Sequence, residues 1–148
     1  MKTKKIVIIA LCSTIAIVCL GFIGLRTFVK NIYKSENCEW ANIDNIEMRA
    51  MVDIPKIENS ECEYDSISKT KKVVFILDKE LNTEEYIKKN NLQKVTESEK
   101  LSSFHLNSEE LANSKTFYFR EKTTEWESYK ILLDSKSGKL WIDLKYLD

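Results

Sequence analysis

Ile6 to Leu25 is an unbroken run of twenty residues without a charge. At 1.5 Å per residue, a helix over that run is about 30 Å long, the thickness of a bilayer's hydrocarbon core. Further along, Ile46, Met48, Ala50 and Val52 alternate with Glu47, Arg49, Met51 and Asp53. That period of two predicts a strand over Asp44–Asp53, ended by Pro55. Residues 56–71 are polar, carry Cys62 and read as a loop. Lys72–Asp78 reads as a second strand, and its continuous apolar run Val73–Leu77 suits a strand covered on both faces. Asn82 or Thr83 can cap a short helix reaching about Asn90, with Glu84 and Glu85 in the first turn, where acids are favoured. Residues 91–114 are mostly polar, with one helical turn expected at Ser108–Ala112. Lys115–Lys122, Trp126–Asp134 and Lys139–Leu147 read as three consecutive strands. Leu140, Ile142, Leu144 and Tyr146 alternate with Trp141, Asp143, Lys145 and Leu147. Asp134–Lys139 is a hairpin turn, and its Gly138 supplies the positive φ that such a loop requires. The expectation is an α+β chain: an N-terminal transmembrane helix, then a small antiparallel meander of about five strands with one or two short helices packed on one face.

The flanks of the apolar run orient it. Lys2, Lys4 and Lys5 precede it, and cytoplasmic flanks attract Lys and Arg. Residues 1–30 are therefore expected to form a cytoplasmic start and anchor, and residues 31–148 a domain on the far side. A cleaved signal peptide competes with this reading. Its apolar region is usually about 7–15 residues and ends in an Ala-x-Ala site. This run is longer and has no such site. A lipoprotein is a third possibility, but Cys12 follows Leu11 and Cys19 follows Val18, where a small residue is needed. Cys12 and Cys19 share a helix face, as small apolar side chains in lipid or as thiols of a dimer. Gly21 and Gly24 are one residue too close for a G-x-x-x-G packing motif. Beyond residue 30 the only cysteines are Cys38 and Cys62. In an oxidising compartment two such residues read as one disulfide, otherwise as two buried thiols. The bond would close a loop of about 25 residues, worth roughly 3 kcal/mol by chain entropy.

Charge narrows the function. The chain has 23 basic and 23 acidic residues; five of the bases and no acid lie in residues 1–30, leaving the rest at a net of −5. A basic nucleic-acid footprint is therefore excluded from the main body. Catalytic constellations are scarce. The single His105 lies between Phe104 and Leu106, a setting more often structural than catalytic. One Gly beyond residue 30 leaves no phosphate-binding loop, and one His with two paired Cys leaves no zinc set. Asp134–Gly138 is too sparse in oxygen ligands for calcium. No metal, cofactor or catalytic residue is expected. Glu121, Glu125 and Glu127 surround Trp126 near a strand connection. Paired carboxylates can hydrolyse glycosides, but acids at a strand end also blunt an exposed edge. What remains is an acidic surface with Trp40, Trp126, Trp141 and six Tyr. Trp and Tyr are enriched at binding hot spots, although Trp126 and Trp141 can equally pack the sheet.

A basic start, one uncleaved anchor over residues 6–25 and a compact disulfide-bearing domain together form a layout that resembles the membrane-anchored periplasmic immunity proteins of bacteriocin producers, of the colicin M and pesticin kind. The resemblance covers Met1–Lys30 and the general build of the rest, and it carries over no functional residue. It implies a single-pass inner-membrane protein whose periplasmic domain binds and neutralises a protein toxin directed at peptidoglycan. Contacts are then expected among Glu121, Glu125, Trp126 and Glu127, where acid and aromatic residues cluster. The alternatives are a structural or assembly subunit of an envelope complex and a small carboxylate hydrolase.

Overall fold

A computed structural model of the chain describes residues 2–39, 42–95, 98–104, 106–112 and 116–147. The chain divides into two compact units, Met1–Lys34 and Ser35–Asp148. The first is one helix, α1, Lys2–Tyr33. Its stretch Leu11–Tyr33 is long and apolar enough to cross a membrane. Cys12 and Cys19 are free thiols on its exposed surface.

The second unit is a six-stranded antiparallel sheet with short helices, an α+β domain. Its strands are β1 (Ile57–Asp65), β2 (Thr70–Leu77), β3 (Gln93–Lys94), β4 (Phe117–Thr123), β5 (Glu127–Asp134) and β6 (Lys139–Tyr146). They lie in the order β1-β2-β6-β5-β4-β3. The expected C-terminal meander is present as β4-β5-β6, and β6 also pairs with β2, from Thr70 opposite Lys145 to Ile76 opposite Lys139. At the β5–β6 hairpin Gly138 has φ 70°, and its N–H donates to the Asp134 carbonyl at 2.9 Å.

Two expectations are corrected. Asp44–Asp53 is not a strand: Asn42–Ala50 is a helix, α2. Its buried residues are Asn45, Ile46, Arg49 and Ala50, the one-turn spacing of a helix face. Ile46 and Ala50 fit both periods, and Met48, which alternation would bury, is 36% exposed. Asp44 in the first turn and Arg49 in the last also suit the helix dipole. The polar segment 56–71 is not a loop but contains β1 and the turn into β2. This strand has a neighbour on one side only, so most of its side chains are exposed and it lacks an apolar signature. Its acids Glu58, Glu61, Glu63 and Asp65 are the kind of residue that blunts a sheet edge.

The helices do not all cover one face. The α2 helix and α3 (Thr83–Lys89), which Asn82 caps by accepting the Glu85 N–H at 3.3 Å, close the first face. Ile46, Ala50 and Tyr86 pack there on Val73, Phe75, Ile131, Leu133, Leu140 and Ile142. Each such side chain contributes about 1.5–3 kcal/mol by leaving water. A 3-10 turn (Ser98–Leu101) and α4 (Ser108–Ala112) belong to the segment that covers part of the second face. Leu101 and Phe104 meet Phe117, Phe119, Leu132 and Trp141 there. Lys139 Nζ ties α4 to β6 through the Glu110 carboxylate, 2.5 Å away. The strand β2 is thus sealed on one face only: Val73, Phe75 and Leu77 are buried, while Val74 and Ile76 are half-buried.

Cys38 and Cys62 form a disulfide with Cα atoms 5.8 Å apart. It fastens the start of the unit to β1 and is a bond of the kind that persists in oxidising compartments. Replacing both cysteines by Ser is expected to lower the unfolding free energy by about 3 kcal/mol, read from the urea midpoint of the full chain in detergent micelles.

Candidate functional site

Among the described residues, polar side chains gather in two places on this unit, one buried and one open. The buried one joins α2 to the sheet. Arg49, in the last turn of α2, donates to Glu127 at the start of β5, 2.9 Å away, and the two side chains are 1% and 6% exposed. The guanidinium also lies over the Tyr146 ring, 5.1 Å from its centroid. Lys71 Nζ donates to Asn45 Oδ1 at 2.9 Å and to the Ser35 carbonyl at 3.3 Å. The Tyr146 hydroxyl donates to the same Asn45 oxygen at 2.8 Å. Burial pushes the Lys71 ammonium down to a pKa of about 8, against a partial opposing pull from Glu36. Nearby, the Arg120 guanidinium donates to the carbonyls of Ala50 (2.7 Å), Met51 (2.9 Å) and Asn90 (2.6 Å). This cation caps the α2 C-terminus, where Met51 adopts a left-handed φ of 49° without being Gly. Asn45, Arg49, Lys71, Glu127 and Tyr146 are all buried, so this part of the network holds α2 to the sheet.

The structure separates the candidate contact residues. Glu127 is 5% exposed and committed to Arg49, so it is withdrawn from the contact surface. It lies on the helix-covered face, whereas Glu121, opposite Lys130, lies on the other. These two carboxylates therefore do not converge as a hydrolytic pair. Glu125 is exposed and Trp126 is 56% exposed in the β4–β5 turn. Trp141 packs edge-on against Phe117, ring centroids 6.0 Å apart, and is 7% exposed. His105 and Trp40 lie outside the described residues. Among the described residues no cluster of His, Cys, Asp and Glu could hold a metal ion.

The open place is the second face of the sheet beyond the reach of the 98–112 segment. Strand register puts Glu63, Lys72, Asp143, Lys130 and Glu121 in one row across β1, β2, β6, β5 and β4. Signs alternate along it, so each charge has an opposite neighbour about 5 Å away. Acids occupy both ends. Beside it runs a row with Glu61, Val74 and Trp141. Between the rows lies a groove of about 360 Å³, lined by Glu61, Glu63, Lys72, Val74, Trp141 and Asp143. Three acids against one base, over an apolar floor, suit a cationic protein surface. Sequence reasoning missed Glu61 and Glu63 because they sat in a presumed loop. The available signal was their alternation with inward-facing Cys62 and Tyr64.

Comparison of the chain with protein-family models, curated proteins and solved structures finds no match. The site therefore rests on its own geometry.

Two outcomes follow from the buried network. Replacing Glu127 by Leu strands the Arg49 charge and is expected to cost roughly 3–5 kcal/mol of stability, most of which the double variant R49M/E127L recovers. Urea midpoints of the three proteins check this. The folded-state pKa of Lys71, about 8, lies below its ordinary 10.5. Between these values the unfolded chain holds a proton that the folded chain has released, so this group makes stability rise with pH. Stability of the wild type relative to Lys71→Met is expected to climb from about pH 8 to about pH 9.5. A flat difference across that window contradicts the assignment.

Proposed function

We propose that this chain is a membrane-tethered immunity protein whose outer domain binds and neutralises a protein toxin acting on peptidoglycan in the periplasm. The observation that carries this reading is the open, acid-rimmed groove on a domain that follows an apolar, membrane-length helix. The basic N-terminal flank supports a cytoplasmic start and a single pass through the inner membrane, with the C-terminal domain outside. The disulfide agrees with an oxidising periplasm. In this reading the role is binding without catalysis. Glu61, Glu63 and Asp143 attract a basic face of the toxin, and Glu121 extends the same surface. Tethering keeps the inhibitor at the membrane and raises its effective concentration there.

The test is protection. A sensitive bacterium expressing the chain is challenged with a panel of periplasm-acting bacteriocins, muramidases included, and survival against one toxin is expected. The charge reversals E61K and E63K together should weaken binding to that toxin by about tenfold or more, chiefly by slowing association. Survival against none of the panel counts against the immunity reading. Exchanging Ile6–Leu25 for an unrelated membrane helix separates it from an envelope-assembly subunit, since an inhibitor should tolerate any anchor.

A further inference from the structure

One end of the sheet carries three exposed apolar side chains that neither the core nor the groove uses. Ile67, at the tip of the β1–β2 turn, is 95% exposed; Trp126, in the β4–β5 turn, is 56% exposed; Leu147, just after β6, is 45% exposed. Backbone bonds hold the three segments together. The Tyr146 N–H donates to the Lys69 carbonyl and the Leu147 N–H to the Trp126 carbonyl, both at 2.9 Å. Each turn is fixed from within. Asp65 accepts the Ile67 N–H at 2.9 Å and the Ser68 hydroxyl at 2.6 Å, and Thr124 Oγ1 accepts the Trp126 N–H at 3.2 Å. The side chains are therefore held out into solvent by structured turns. Exposed apolar groups on a rigid frame mark an interaction surface.

The chain itself indicates what covers them. This unit begins at Ser35, and the Ser35 carbonyl accepts from Lys71 Nζ, on the strand that leaves the β1–β2 turn. The next residue, Glu36, accepts the Tyr64 hydroxyl on the paired strand. In sequence the candidate span ends at Tyr33, two residues before Ser35, and its charge-free part ends at Leu25, before Arg26 and Lys30. With helix to Tyr33 at about 1.5 Å per residue and two further steps of about 3.8 Å, Ser35 lies within roughly 20 Å of Leu25 along the chain. Trp favours the boundary between lipid and water, with its ring among acyl chains and its N–H among headgroups.

We infer that the Ile67–Trp126–Leu147 end rests on the lipid surface, so that the groove is presented at a fixed height above the membrane. This rests on Leu11–Tyr33 spanning the bilayer, and it is independent of which partner the groove binds. The test uses the full chain reconstituted in vesicles of phosphatidylcholine, with and without brominated acyl chains, alongside a Trp126→Phe variant. Bromolipid should quench the wild type, and most of the quenched emission should be missing from the variant. Replacing Ile67 and Leu147 together by Asp should reduce quenching by bromolipid and increase quenching by aqueous iodide. Equal bromolipid quenching of wild type and W126F, in chains that stay with the vesicles at alkaline pH, overturns the docking while leaving the span intact. Release of the chain at alkaline pH removes the span, and the inference with it.

Discussion

The Arg49–Glu127 ion pair is the constraint around which the sheet-bearing unit is arranged. A buried guanidinium needs compensating partners, and Arg49 finds its carboxylate 78 positions away in sequence. Satisfying the pair fixes α2 across the start of β5. That placement brings Asn45 to Lys71 and Tyr146, and delivers the carbonyls of Ala50 and Met51 to Arg120. Asn45, Arg49 and Tyr146 each have partners on more than one strand or helix. Its value lies in specifying one docking of α2, since burying charge yields little net stability by itself.

The sheet is covered unequally, and that inequality produces the surface. The first face is sealed by α2 and α3 over a continuous aliphatic core. The second is sealed only where Leu101 and Phe104 reach Phe119, Trp141 and their neighbours. Beyond them the side chains must meet water, so the strands present charges in alternating sign. A concave acidic groove with an apolar floor remains, held by β1, β2 and β6, of which β2 and β6 have their other face buried. A preorganised surface of this kind lowers the entropic cost that any association would carry.

The start of the unit is fastened as firmly as its middle. The Lys71–Ser35 and Tyr64–Glu36 hydrogen bonds and the Cys38–Cys62 disulfide tie three of its first four residues to β1 and β2. These ties hold the first residues of the unit against its edge strand and the strand beside it.

The amino-acid pattern by itself determined the features set by near neighbours. The apolar span follows from uninterrupted hydropathy, α3 from its Asn82 cap and early acids, and the β5–β6 hairpin from alternation around Gly138. The disulfide follows from there being only two cysteines beyond the span. Tertiary structure alone decided the rest. Ile46 and Ala50 satisfy both a strand and a helix period, and only packing against the sheet, with Arg49 turned towards Glu127, selected the helix. The charged run Ile57–Asp65 is a strand because β2 offers its backbone a partner. Glu121, Glu125 and Glu127 looked equivalent in sequence, yet strand parity sends Glu121 and Glu127 to opposite faces and a distant arginine buries Glu127. Local periodicity encodes local geometry, whereas the face a charge occupies depends on partners that only the folded chain brings within reach.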